Sequence, residues 1–227
     1  MDKQLRHTFL LIGSYFLAYT VLGMTTATLG PSLPYLAGNV GTSLRGISSL
    51  FIAHRLGYIA GSFGGGRLYD RVSGNRLMAG MLLLMAAGMV AVPIVPLLGI
   101  LIGLLFLLGA SEGTVDVGGN ILLVWTRPPR IGSLMNALHL FFGLGALLSP
   151  LILARMIQRT GTIRWGYWLI AALAVPIAAV LLPQRSPKPA QASPDGSGHT
   201  AGKLLPLVLA AFFFLHVAAE SSYGAWI

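Results

Sequence analysis

Of the 227 residues, 55% are hydrophobic and only 9% charged, and the mean hydropathy of +0.78 excludes an ordinary soluble domain in favour of an integral membrane protein. The net charge of +9 does not mark a nucleic-acid binder, because the basic residues are scattered between apolar runs as in cytoplasmic loops. The absence of cysteine excludes disulfides and thiolate metal centres, and no cofactor or resident metal site is expected.

With 29 Gly and 13 Pro and no strand-like alternation, the sequence predicts transmembrane helices packed backbone to backbone rather than a barrel, and the fold class is an all-α membrane protein. A helix crosses the hydrocarbon core in about 20 residues, and on that measure seven spans are predicted, at 8–30, 47–66, 77–95, 98–125, 132–154, 165–182 and 204–227. The first run is too long for a signal sequence and lacks a small-residue cleavage pattern, so it is read as a retained helix. The stretch 77–125 would be about 74 Å long as one helix. Pro93, Pro96 and Gly99 therefore mark a hairpin within it.

Segment 183–203 is rich in Pro, Ser, Ala and Gly and reads as a cytoplasmic linker. It separates an amino-terminal bundle of six helices, 1–182, from a seventh helix, 204–227. That helix reads as the start of an incomplete second bundle, because it reaches Trp226 and Ile227 without a polar flank. The sequence is accordingly expected to be truncated, with a missing half or a second chain needed for activity. With the amino terminus inside, ten Lys and Arg fall on the cytoplasmic side and four (Arg45, Arg155, Arg159, Arg164) on the other. This bias predicts a multi-pass protein of the plasma membrane with a cytoplasmic amino terminus.

Within the apolar spans lie three of the six acidic residues, Glu112, Asp116 and Glu220. Glu112, Asp116 and Asn120 are four apart, so on a helix they form one polar stripe. Lipid cannot solvate such a stripe, which must face an aqueous cavity, an ion or a partner helix. It can hold a coupling ion, either a proton on Glu112 or a sodium ion among its oxygens. Asn136 and His139 share a face of the fifth span and offer neutral hydrogen-bond partners for solute hydroxyls. Tyr15, Tyr19 and Thr26 follow a similar stripe on the first span, with Tyr19 a candidate for covering a sugar ring. Glu220 would enter the same cavity from the seventh helix. His54 and Arg55 lie about a third of the way into the second span, where Arg55 must snorkel, pair or line water. They are read as an extracellular-side gate, with a pairing of Arg55 to Glu112 or Asp116 dependent on helix tilt. Gly57, Gly61 and Gly65, with Gly109 and Gly113, read as packing seams rather than binding residues.

The junction after the second span carries Gly66, Asp70, Arg71, Gly74 and Arg76, and resembles the signature loop of the major facilitator superfamily. That resemblance implies gating roles for Gly66, where helices approach closely, for Asp70, which caps or pairs across the cytoplasmic gate, and for Arg71, which binds carboxylates. The run from Glu112 to Asn120, then Asn136 with His139, and then His216, Glu220, Gly224 and Trp226, resembles the branch containing fucose permease and the sodium-dependent glucose transporter-like proteins. It implies a secondary active transporter working by alternating access, moving a small polar solute such as a sugar by symport with a proton or sodium ion. Three departures stand out. Gly74 is one residue late, the first helix ends without an acidic residue at 24–30, and Gly109 replaces the usual arginine of the fourth helix.

Other classes fit less well. An exporter of drugs or metabolites is the alternative within the fold, but Gly143, Gly145, Ser149 and Pro150 do not form the Gly-Pro signature common in exporters. Gly109, Ser111 and Glu112 partly resemble the serine segment of rhomboid intramembrane proteases, yet the sixth span has no histidine to activate a serine. A retinal protein or seven-helix receptor is disfavoured by the absence of lysine in the seventh span and by the predicted orientation. No enzymatic activity is expected.

Overall fold

Backbone amides and carbonyls in a bilayer must be satisfied within the segment that carries them, so the long apolar runs have little choice but helix. The computed structural model describes residues 3–126 and 131–188, together with the isolated positions 208, 211, 212 and 215. The elements are α1 (Lys3–Thr26), α2 (Leu29–Val40), α3 (Leu44–Ile47), α4 (Ser49–Tyr69), α5 (Gly74–Ala91), α6 (Leu98–Thr126), α7 (Ile131–Thr160) and α8 (Arg164–Leu181). No strand occurs among the described residues, and the all-α class holds. The predicted seventh span lies, apart from the isolated positions, outside them.

Five stretches are long and apolar enough to cross a membrane: Arg6–Thr26, Gly74–Ile94, Leu98–Thr126, Ile131–Thr160 and Arg164–Leu181. The chain is a multi-pass membrane protein. Helix α4, with 21 residues, is about 31 Å long and spans by length. Its His54, Arg55, Arg67 and many glycines make it less apolar than the rest.

One predicted span is differently built. Instead of a single helix over 8–30, α1 ends at Thr26 and the chain resumes as α2, which runs on to Val40. A proline ring crowds the carbonyl four residues earlier, and Pro31 sits four residues after Ala27, where the helix breaks. Thr28 and Ser32 secure the bend, their hydroxyls donating to the Thr25 and Thr28 carbonyls at 2.7 Å each. The predicted hairpin at Pro93 and Pro96 is present as a short 3-10 turn, Val92–Ile94, leading into α6.

Apolar attraction between helices is weak where the solvent is itself hydrocarbon, so close packing needs small residues. A Cβ on Gly57 or Gly61 would overlap the carbonyl of Phe106 or Ala110, and one on Gly65 would press on Thr114. From the other side, Gly109 and Gly113 meet the carbonyls of His54 and Tyr58. The partners advance together along both chains, so α4 and α6 run parallel with their backbones in contact. Thr114 adds a hydrogen bond across this seam, its hydroxyl donating to the Gly61 carbonyl at 3.1 Å. A second seam joins α1 to α7, where Gly23 meets the Phe142 carbonyl and Gly145 that of Thr20. Opposite these, α5 presents Met78, Leu82, Met85 and Met89, spaced on one buried face, to a bundle closed by α8.

The chain divides into two units, Met1–Lys188 and Pro189–Ile227. The first takes in the residues that follow α8. Asn75, fully buried, accepts from the Tyr15 hydroxyl at 2.7 Å and donates through its side-chain amide to the Arg185 carbonyl at 3.1 Å. Its backbone N–H donates to Ser186 Oγ at 2.8 Å, and Ser186 also meets Ser73 Oγ at 2.9 Å. The start of the expected linker is thus strapped to the turn between α4 and α5.

Two predictions follow from this packing. Gly61→Ala should destabilise the protein by about 1–3 kcal/mol through overpacking of the seam, whereas Gly64→Ala, whose new Cβ meets open space, should be neutral or slightly stabilising; thermal unfolding in detergent distinguishes them. Asn75→Ala should cost about 1–3 kcal/mol in the same assay, because it removes two side-chain hydrogen bonds, one of them accepted from the buried Tyr15 hydroxyl.

Candidate functional site

The polar stripe of α6 faces α1 and α4 rather than lipid. Glu112 is 0% exposed. Its Oε2 lies 3.0 Å from His54 Nε2 on α4 and accepts from the Thr26 hydroxyl on α1 at 3.0 Å. Its Oε1 finds no hydrogen-bond partner among the described residues. Helical side chains lean toward the amino terminus of their helix, which lifts the Glu112 carboxyl toward the level where Gly109 meets the backbone of His54.

One turn further along α6, Asp116 is half-buried and held at both oxygens. The Tyr19 hydroxyl donates to Oδ1 at 2.8 Å and the Tyr58 hydroxyl to Oδ2 at 2.6 Å. Asn120 then donates from its amide to the Tyr19 oxygen at 2.6 Å and to the Asp116 carbonyl at 3.0 Å. The chain of donors therefore runs from Asn120 through Tyr19 to Asp116, with Tyr58 closing from α4. Glycine makes this possible locally, since a Cβ on Gly119 would strike the Tyr19 ring. His139, exposed on α7, sets its ring edge-on to Tyr19 with centroids 6.0 Å apart.

Of the predicted site residues, the structure thus brings together Glu112, Asp116, Asn120, Tyr19 and His54, with His139 alongside. Asn136 is exposed one turn before His139 and has no hydrogen bond to the cluster. Glu220 lies outside the described residues. The suggested pairing of Arg55 with an acid is not formed among the described residues: Arg55 is exposed, and its neighbour His54 takes the place beside Glu112. Consecutive helical residues point about 100° apart, so only one of the two can face α6.

At the signature turn, Asp70 caps α4 and, like Arg71, is exposed. Gly66 does not mediate the close approach that the resemblance implies, since a Cβ there would meet nothing; Gly65, one residue earlier, faces α6 instead. Ser111 is no nucleophile in waiting, because it is fully buried with its hydroxyl donating to the Leu108 carbonyl at 2.7 Å.

Tyr58 is the member of this cluster that the sequence reading missed. Its signal was its place four residues after His54, on the same face of α4. Asn75 was missed as well, being an ordinary amide in a loop motif.

A helical membrane bundle with acidic groups enclosed between its helices has the arrangement that marks an ion or solute pathway. The model of the Major Facilitator Superfamily matches residues 15–227, and the chain belongs to that family. Among its relatives, the mouse (Mus musculus) Sodium-dependent glucose transporter 1A is 29% identical over 251 residues, covering 93% of this chain and 59% of the relative. The zebrafish (Danio rerio) Sodium-dependent glucose transporter 1 is 39% identical over 131 residues, covering 58% of this chain and 22% of its own length. The chain thus spans only part of the curated relatives that it matches. A crystal structure of a peptide transporter POT in complex with sulfate superposes with a TM-score of 0.67 at 17% identity, over 94% of this chain and 45% of that one. That likeness concerns the fold alone.

The Asp116 cage can be tested by its coupling. Tyr58→Phe and Tyr19→Phe should each cost about 1–3 kcal/mol, the range for leaving a buried acceptor unsatisfied, with Tyr19→Phe the larger because Asn120 also loses its acceptor. The double variant should depart from additivity by more than about 0.5 kcal/mol, read from thermal unfolding of the four proteins.

Proposed function

We propose that this chain supplies the amino-terminal helical unit of a secondary active transporter that moves a small polar solute, with a sugar as the favoured cargo, by symport with a proton or sodium ion. The observation that carries the proposal is the pair of carboxyl groups one turn apart on α6, each held by side chains from other helices. Buried acids at membrane depth are costly and mark ion and solute pathways. The names of the mouse and zebrafish relatives support glucose or a related solute as cargo.

In this reading Asp116, Asn120, Tyr19, His139 and Asn136 offer acceptors, donors and an aromatic face to solute hydroxyls, and Glu112 couples the ion. Arg55, Asp70 and Arg71 serve the gates. Transport needs a second helical unit to rock against the first, as a carboxy-terminal continuation or as another chain. The protein resides in the plasma membrane with its amino terminus in the cytoplasm, following the distribution of Lys and Arg.

Uptake of D-glucose into proteoliposomes holding the two-unit transporter, driven by a proton or a sodium gradient, tests the proposal. Glu112→Gln should abolish gradient-driven uptake while leaving solute exchange; unchanged uptake in that variant refutes the coupling role. The 227-residue chain alone should give no uptake. A tag on the amino terminus should react only from the cytoplasmic side.

A further inference from the structure

We infer that the solute carries a carboxylate as well as hydroxyl groups, a sugar acid of the hexuronate kind rather than a neutral hexose, and that Arg55 is the residue that selects it. The inference rests on the transporter reading and names the substrate class of that same site.

The carboxyl groups of α6 both have partners within the unit. Glu112 is sealed, its Oε2 beside His54 and Thr26, and Asp116 accepts from Tyr19 at one oxygen and from Tyr58 at the other. Arg55 differs. It is exposed, and the only ion pair among the described residues is that of His54 with Glu112. Arg55 lies about 9 Å into α4 from Ser49, between two residues that reach those acids. Its charge is felt at the Tyr58 hydroxyl, one turn deeper, which sets the guanidinium on the side of the Asp116 cage. A guanidinium at membrane depth needs water or an anion beside it.

A ribbon of polar groups thus crosses four helices. The His139 ring of α7 stands against Tyr19 of α1, Tyr19 and Tyr58 hold Asp116 of α6, and Arg55 follows on α4. Toward one end is an acceptor, since a half-buried carboxylate keeps lone pairs beyond the two that its tyrosines use. At the other is a planar fork of donors that matches a carboxylate. A solute with hydroxyls at one end and a single negative charge at the other satisfies both. A neutral hexose would satisfy only Asp116 and leave the guanidinium without water or partner once the site closes. Sites built around a polar group discriminate strongly against analogues that lack it. A phosphate dianion fits less well, because one guanidinium leaves a charge unbalanced and Asp116 repels it. The gating role of Arg55 gains a chemical content here: it closes on the anion of the solute itself.

The test compares D-glucuronate with D-glucose, which differ only at carbon 6, as ligands of the purified 227-residue chain and as competitors for uptake by the two-unit transporter. Sodium acetate and sodium chloride at matched ionic strength control for a bare carboxylate and for salt. D-glucuronate should bind at least about tenfold more tightly than D-glucose. Arg55→Gln should abolish this preference, and Arg55→Lys, which keeps the charge without the fork, should retain part of it. Equal binding of the two solutes by the wild type, or a preference that survives Arg55→Gln, overturns the inference. Binding of neither by either preparation does the same. Tighter binding of D-glucose 6-phosphate than of D-glucuronate overturns the choice of carboxylate. Equal binding joined to a lower unfolding temperature of the Arg55→Gln transporter means that an acid of the protein holds the guanidinium, which also overturns it. Should Arg55→Gln fail to fold, the reduced preference of Arg55→Lys decides. Failure of uptake of both solutes under every gradient would count against the transporter reading, while binding to the chain still decides the role of Arg55.

Discussion

The contact of two bare helix backbones, α4 on α6, sets the geometry on which the rest depends. Five glycines empty the space between these helices, so that carbonyls of one lie where side chains of the other would have been. In a bilayer this is an efficient way to hold helices, because dispersion contacts and weak Cα–H to carbonyl interactions replace a hydrophobic effect that lipid does not provide. It also fixes register. With Gly57 against Phe106 and Gly113 against Tyr58, His54 and Tyr58 reach the two carboxyls of α6, and a slip of one residue would turn both away.

Register explains why acidic groups are tolerated at all. Each carboxyl has partners from neighbouring helices: Thr26 and His54 for Glu112, Tyr19 and Tyr58 for Asp116. None of these requires a formal countercharge, and the only ion pair among the described residues is the conditional one with histidine. Interhelical hydrogen bonds in membranes are individually modest. Their value here is geometric, since α1, α4 and α6 converge on the same two side chains and cannot shift independently without unpairing them.

How far the sequence spoke depended on the kind of signal. Apolar runs and prolines gave the long helices and the hairpin at Pro93, because length and helix-breaking chemistry are local properties. The four-residue spacing of Glu112, Asp116 and Asn120 gave the polar stripe for the same reason. Partners across helices were harder to read. His54 and Arg55 are adjacent, and only the rotational setting of α4 decides that histidine faces inward; that setting comes from Gly57 and Gly61, which the sequence reading took as packing alone. Tyr58 went unnoticed because a tyrosine in an apolar run usually signals an interface. The break at Ala27 was legible in principle from Pro31, but the apolar run continues through it and masked the bend.

The two acids of α6 differ in ways that their lengths explain. Glu112 carries the longer side chain and lies beside Gly109 and Gly113, where α4 comes closest; its carboxyl can extend back along the helix into the space between α1 and α4 and be closed off from water. Asp116 keeps its carboxyl near its own backbone, so its partners must reach in, and only phenols are long enough to do so from α1 and α4. Glycine at 119 clears the way for Tyr19, and Asn120 holds that ring from below. One helical turn thus separates a sealed carboxyl from a half-buried one. Exchanging the two residues would leave an aspartate too short to meet His54 and a glutamate pushing against the tyrosines, so the order of the acids along α6 is itself a structural requirement.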